Sequence, residues 1–353
     1  MALVSDETGS EAAAMKAVAG LYHAYFTGLI LTLVTRAGAP AAARWVHHLF
    51  RHQHHEKFLS SFAKLGLEGM PDAVACAAYH YLSNAVGGVE VEFMRESDRK
   101  AWVNFVPPRW IYPGASICGV PSEVSRGFLT GWYAQNGVSL GNPRLGFVCT
   151  SQTTDGQHGL SGYFLEHDRE LAPEERLRFS PGELPPPFDP EAAPRLPSAA
   201  WPAERLAKAE RNYAIEYIRS GLPRLVELLG PAEASHLGRT AGRLIGAQLY
   251  RDVASRLGIA RGGAEAFGRL MAGLAEGEGD AAGITGEGAG IEVRRPSWRL
   301  MRGISPVSPA VFEAWNGLLE GLLVVHDRFL VLETLARLDY GDDAFVWRIR
   351  RRG

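Results

Sequence analysis

Cysteine is scarce in this 353-residue chain, with Cys76, Cys118 and Cys149 the only three. An odd count without paired spacing argues against a disulfide framework or a zinc ribbon and points to a reducing compartment. A dominant charge is lacking as well: 37 Lys and Arg stand against 39 Asp and Glu, a formal net charge of −2. No global field therefore recruits nucleic acid or an anionic membrane. The basic tail Arg348, Arg350, Arg351 and Arg352 is local and reads as a solvated terminus. Long apolar runs are missing, because the stretch 26–34 is interrupted by Thr27, Gly28 and Thr32. That is short of the ~20 residues a spanning helix needs, so a packed helix is expected. Asp6, Glu7 and Glu11 stand where a signal peptide would carry basic residues. The expectation is a cytoplasmic protein with neither nucleic acid nor membrane as partner. Segment 277–290 is rich in glycine but follows no strand and lacks the Lys-Ser/Thr of a phosphate loop, so it reads as a flexible loop.

What is present suits an ordinary globular interior. Hydrophobic residues make up 46%, enough to bury a full core without staples. The length suggests two domains. Eight prolines between Pro181 and Pro202 mark an extended linker at 180–202, dividing a first domain at 11–179 from a second at 203–351. In the first, helices are expected at 11–36, 41–65 and from Pro71 to before Gly87. Val89, Val91 and Phe93 alternate with polar residues as a strand, and Ala101, Val103 and Phe105 make another. A helix from Pro121 to Asn136 and strands at 143–152 and 159–167 follow. The second domain repeats the order, with helices at 203–228, 231–258 and 262–275. Strands are expected at 290–295 and around Trp298, a helix from Ser308 to His326, and strands at 328–338 and 344–350. Both halves read ααα-ββ-α-ββ, an α/β (α+β) class with helices packed on a mainly antiparallel sheet, and a duplicated domain accounts for the order.

Two stretches carry a family resemblance: 341–347, Gly-Asp-Asp-Ala-Phe-Val-Trp, and 155–166 in the first half. With the element order, they make each half resemble the bacterial aminothiazoline-carboxylate hydrolase-like domain, a relative of the vinyl-reductase-type (V4R) ligand-binding domains. The family's cysteine on the closing strand is absent beside Val346 and Trp347, and Cys149 lies one strand earlier. The resemblance implies hydrolytic opening of a small heterocycle, or plain small-molecule binding.

Four groups of residues invite chemistry. His48, His52 and His55 share one face of the second helix, on a stripe running from Trp45 to Leu59 and Phe62. Adjacent-turn imidazoles can share a divalent metal such as zinc or iron, or else border the core with hydrogen-bond partners. His47 and His54 fall on another face and are expected in solvent. His80 and Asn84 are one turn apart on the third helix, suiting a pocket wall or a satisfied core pair. Glu92, with Trp102 and Trp110 near it in sequence, could supply a general acid, or sit on a solvated sheet face. Cys149 lies in an apolar strand as an inert thiol, or as a nucleophile if His80 or His158 is within reach. Trp132, Asn136 and Tyr163 would complete the pocket.

The expected function is that of a hydrolase acting on a small cyclic nitrogen-containing or acidic molecule. Metal-bound or His80-activated water would attack, Glu92 would protonate the leaving nitrogen, and Cys149 offers a covalent variant. The alternative is a non-catalytic binding module using the same first-half pocket. The second half, with His326-Asp327 as its main polar pair, is expected to be structural or to form a homodimer.

Overall fold

The computed structural model describes residues 4–286 and 290–352, so part of the expected loop, 287–289, lies outside the described residues. Helices α1 (Val4–Ala37), α2 (Ala39–Lys57), a short α3 (Phe62–Leu65) and α4 (Asp72–Val86) precede β1 (Val91–Ser97) and β2 (Lys100–Phe105). Next come α5 (Ser122–Gly131), the one-turn α6 (Asn136–Ser139), β3 (Leu145–Ser151), β4 (Leu160–Glu166) and β5 (Leu177–Phe179). The remainder is α7 (Ala203–Leu229), α8 (Pro231–Arg256), α9 (Ala264–Glu278), β6 (Gly283–Thr285), β7 (Ile291–Arg295), α10 (Pro309–His326), β8 (Leu330–Ala336) and β9 (Phe345–Arg351). The fold is a mixed α/β architecture in two halves, each with helices and its own sheet.

Several elements differ from the sequence expectation, among them the helix expected from Pro121 to Asn136, which stops at Gly131. The second helix stops at Lys57 instead of reaching 65, and a 3-10 turn follows it. The strand partnering β7 is β6, inside the expected loop, whereas Trp298 leads into a 3-10 turn. Strand β5 lies against β3 in parallel and had no alternating pattern to announce it. Helix α1 is also longer than its broken apolar run suggests. Ser10–Ala37 is apolar and long enough to cross a membrane, and 72% of its most apolar window is buried inside the protein, as a packed core helix would be.

The chain divides into two compact units, Leu33–Glu210 and Met1–Thr32 with Arg211–Gly353. Residues 11–32, expected with the first domain, thus group with the C-terminal unit, and the proline-rich stretch belongs to the central one. In the central unit the strand order is β1-β2-β4-β3-β5, and in the C-terminal unit β6-β7-β9-β8. Apart from β5, neighbouring strands are antiparallel in both.

Correspondence goes beyond strand order. A bulge interrupts β3 between Cys149 and Ser151 and β8 between Thr334 and Ala336. Each strand then enters a 3-10 turn closed by a left-handed glycine, Gly156 or Gly341. In both turns a side chain satisfies the first backbone N–H: Gln152 donates to Gln157 Oε1 and Arg337 to Asp342 Oδ2, each at 2.7 Å. Helix pairing matches too. A Cβ on Gly127 or Gly131 of α5 would come within 2.7 and 2.6 Å of the Ala43 and His47 carbonyl oxygens of α2. On α10, Gly317 and Gly321 meet the Arg239 and Arg243 carbonyls of α8 at 2.6 and 2.2 Å in the same way. Glycine is required there because the backbones touch.

Candidate functional site

The expected first-half site resolves into separate places. Helix α2 ends at Lys57, so Leu59 and Phe62 do not continue its face, and the phase drawn through them is wrong. The buried stripe is Ala42, Trp45, Val46, Leu49 and Gln53, joined by His54. His54, expected in solvent, is fully buried, whereas His48 and His55 are exposed. His52 is half-buried beside Glu56, its Nε2 3.5 Å from the carboxylate. The inward-facing His48, His52 and His55 set is therefore overturned. Among the described residues no group of three or more His, Cys, Asp or Glu side chains could hold a metal ion.

His54, His80 and Asn136 meet instead in the core. The Asn136 amide stands between the imidazoles, with Oδ1 3.1 Å from His54 Nε2 and Nδ2 3.3 Å from His80 Nε2. Arg51 Nη1 lies 3.4 Å from His54 Nδ1. A guanidinium only donates, so Nδ1 accepts, Nε2–H donates to Asn136 Oδ1, and Nδ2–H donates to His80 Nε2. His80 stacks on Tyr133 with centroids 4.0 Å apart and lies parallel to Phe164, while Asn84 Nδ2 donates to the His80 carbonyl. Trp132 stands edge-on to His54. Burial drives His54 down to about 4 and His80 well below its ordinary value, so both imidazoles are neutral. The C-terminal unit has a pair at the matching place, two turns beyond the close helix contact: Tyr250 Oη and His326 Nδ1, 2.8 Å apart. A polar pair at this helix junction recurs with different chemistry, as a structural fixture would.

The other expected residues lie elsewhere. Ala101, Val103 and Phe105 face the main core, whereas Trp102 packs with Met94, Val148 and Tyr163 on the opposite sheet face. Asn104 and Glu92 follow Trp102's phase, with Asn104 Nδ2 donating to Glu92 Oε2 at 2.7 Å. Trp110 is partly buried against the main core. Cys149 is buried in that core, not disulfide-bonded, and bonds to the Ser151 carbonyl at 3.4 Å. Burial pushes its thiol up to about 12. His80 thus shares a cluster with Asn84, Asn136 and Trp132, and the sheet separates it from Glu92, Trp102 and Tyr163.

A small cavity lies in the C-terminal unit instead, with about 20 Å³ of free space. Leu21, Met271, Leu274, Val293, Trp315 and Trp347 form apolar walls, and Ala282 stands among the lining residues at a half-exposed position. Strand pairing sets Val293 opposite Trp347, and period two puts Arg295 on the same face as Val293. Helix α9 delivers Glu278 at its last turn, and left-handed Gly279 turns the chain so that Asp280 follows. Trp315 Nε1 donates to Tyr22 Oη at 2.9 Å, and Tyr22 donates to Glu278 Oε1 at 2.7 Å. Arg295 Nη2 bonds Glu278 Oε2 and Asp280 Oδ2, both at 2.5 Å, and Nε bonds Asp280 and the Ser297 carbonyl. Burial alone would lower Arg295, but Glu278 and Asp280 overcome it and raise the guanidinium above its ordinary range. Burial would raise Asp280, yet Arg295, the Arg299 N–H and Ser297 hold it below the usual carboxylate range.

Sequence reading passed over this site. Its signal was Arg295, a charge in phase with the apolar Ile291 and Val293, where an unpaired cation would be prohibitively costly. Glu278-Gly279-Asp280 at a helix end was its counterpart. Comparison with known protein families and with curated proteins returns no match.

Proposed function

We propose that the protein is a non-catalytic small-molecule-binding protein and that its ligand occupies the cavity of the C-terminal unit. The carrying observation is a small, largely apolar cavity at which buried Tyr22, Glu278 and Arg295 converge. Binding is favoured over hydrolysis because Glu92 and His80 occupy opposite faces of one sheet and Cys149 is a buried, protonated thiol. The resemblance to V4R-type ligand-binding domains fits the same reading. The matching strand order, bulges, turn bonds and glycine contacts support a duplicated domain whose second copy carries the site. Titration with xenon, a small apolar probe that quenches indole emission, followed by tryptophan fluorescence, tests the proposal. Xenon should bind saturably, and Ala282→Phe should weaken it at least about ten-fold by filling the cavity from a half-exposed position. Saturable binding that Ala282→Phe leaves unchanged would put the site elsewhere.

A further inference from the structure

The two sheets differ at one edge. In the central unit the outer edge of β3 is closed by β5, which pairs with it in parallel through Phe147, Val148 and Cys149. Strand β8 matches β3 in sheet position and in its bulge, yet it ends its own sheet with no strand beyond it among the described residues. The Arg352 N–H donates to the Phe329 carbonyl at 2.8 Å, so Phe329, Val331 and Glu333 turn their backbone groups toward β9. Leu332 and Thr334 therefore turn theirs outward, where no hydrogen-bond partner meets them among the described residues.

Edge strands usually carry a proline, a lysine or an inward charge that keeps other strands away. Strand β8, Leu-Val-Leu-Glu-Thr-Leu-Ala, has only the bulge past Thr334, and its one charge, Glu333, is already bonded to Arg350 of β9. Apolar Phe329 and Leu335, near its two ends, are 53% and 46% exposed.

Register decides what fits this edge. Two copies related by a two-fold axis pair antiparallel, and the axis must pass a residue that lets the outward groups of Leu330, Leu332 and Thr334 meet. An axis at Glu333 sets two carboxylates directly opposite each other, which repel. An axis at Val331 sets Leu335 opposite Asp327. An axis at Leu332 sets Leu332 opposite itself, Val331 opposite Glu333 and Phe329 opposite Leu335, so each exposed apolar side chain covers the other. The Leu332 N–H and carbonyl then bond in both directions. The Leu330 N–H is held by the Asp327 carbonyl at 3.1 Å, so Leu330 only accepts, from the Thr334 N–H of the second copy.

We propose that β8 is the surface on which a second copy of this chain docks, joining the two C-terminal sheets across a two-fold axis at Leu332. The contact is one short strand per copy and stops at the bulge, so the dimer is weak, with a Kd on the order of 10–100 µM.

Sedimentation velocity of the full chain across that concentration range tests the proposal. Wild type should pass from monomer to dimer. Leu335→Lys, at an exposed position, should weaken association at least about ten-fold by setting a charge against Phe329. A cross-link reports the register. With exposed Cys118 replaced by serine, Leu332→Cys should form a disulfide dimer on mild oxidation, because Cα atoms of such a pair stand about 5.5 Å apart. Glu333→Cys should cross-link at least about ten-fold more slowly, since each new thiol would lie opposite Val331. A monomer throughout would overturn the proposal. So would a dimer that Leu335→Lys leaves unchanged, or one in which Glu333→Cys cross-links as fast as Leu332→Cys, because the copies would then meet elsewhere. None of these outcomes bears on the cavity.

Discussion

Replacing Asn136 by leucine probes the buried His54–Asn136–His80 chain most sharply. The substitution keeps side-chain volume roughly constant while removing the acceptor of His54 Nε2–H and the donor to His80 Nε2. All three residues are buried, so no solvent replaces the lost partners. Two imidazole nitrogens are orphaned at about 1–3 kcal/mol each, which gives a loss of about 2–6 kcal/mol for the central unit. Global unfolding of a two-unit chain need not be two-state, so the readout is hydrogen exchange of α4 amides. Their protection should fall roughly 30-fold or more. Adding His54→Phe removes one orphaned nitrogen and should restore about 1–3 kcal/mol, so the two changes are not additive. Protection within about three-fold of wild type, or strictly additive losses, would refute the description of Asn136 as the bridge.

Acid should weaken the central unit in a set direction. His54 titrates at about 4 in the folded chain and near its ordinary 6.5 when unfolded, so the unfolded state binds more protons between these values. Stability is therefore fully present above about pH 6.5 and declines as pH falls through 4, by up to about 3 kcal/mol for this group. His80 acts in the same sense. Denaturant midpoints from pH 7.5 to 4.5 check this, and a flat or rising profile toward acid would contradict it. Thiol labelling of the folded protein should modify exposed Cys118 quickly and buried Cys76 and Cys149 slowly. Equal rates would mean that the core opens far more readily than its packing implies. Gly246→Ala should destabilise the C-terminal unit by several kcal/mol, because the new Cβ would stand 2.3 Å from the Leu318 carbonyl oxygen. An unchanged melting temperature would show that α8 and α10 can part cheaply.

Much of the architecture was legible because it rests on local chemistry. Gly38 before Pro40, and Gly230 before Pro231, break the chain between long helices with φ near +87° and +78°. Alternation exposed β1 and β2. Three-residue β5 and β6 were illegible, since each is held by pairing to a distant strand. The candidate site read less well for two reasons. Helical phase on α2 was anchored on residues beyond its end, which put His54 outside and His48 and His55 inside. The C-terminal cavity needs Tyr22 from α1 beside Glu278 and Arg295, a meeting that no local spacing announces.

The central claim is that the cavity of the C-terminal unit is a binding site. A crystal structure of the protein under xenon pressure addresses it most directly. The account predicts a xenon atom among Leu274, Trp315 and Trp347. A cavity without xenon density would contradict it.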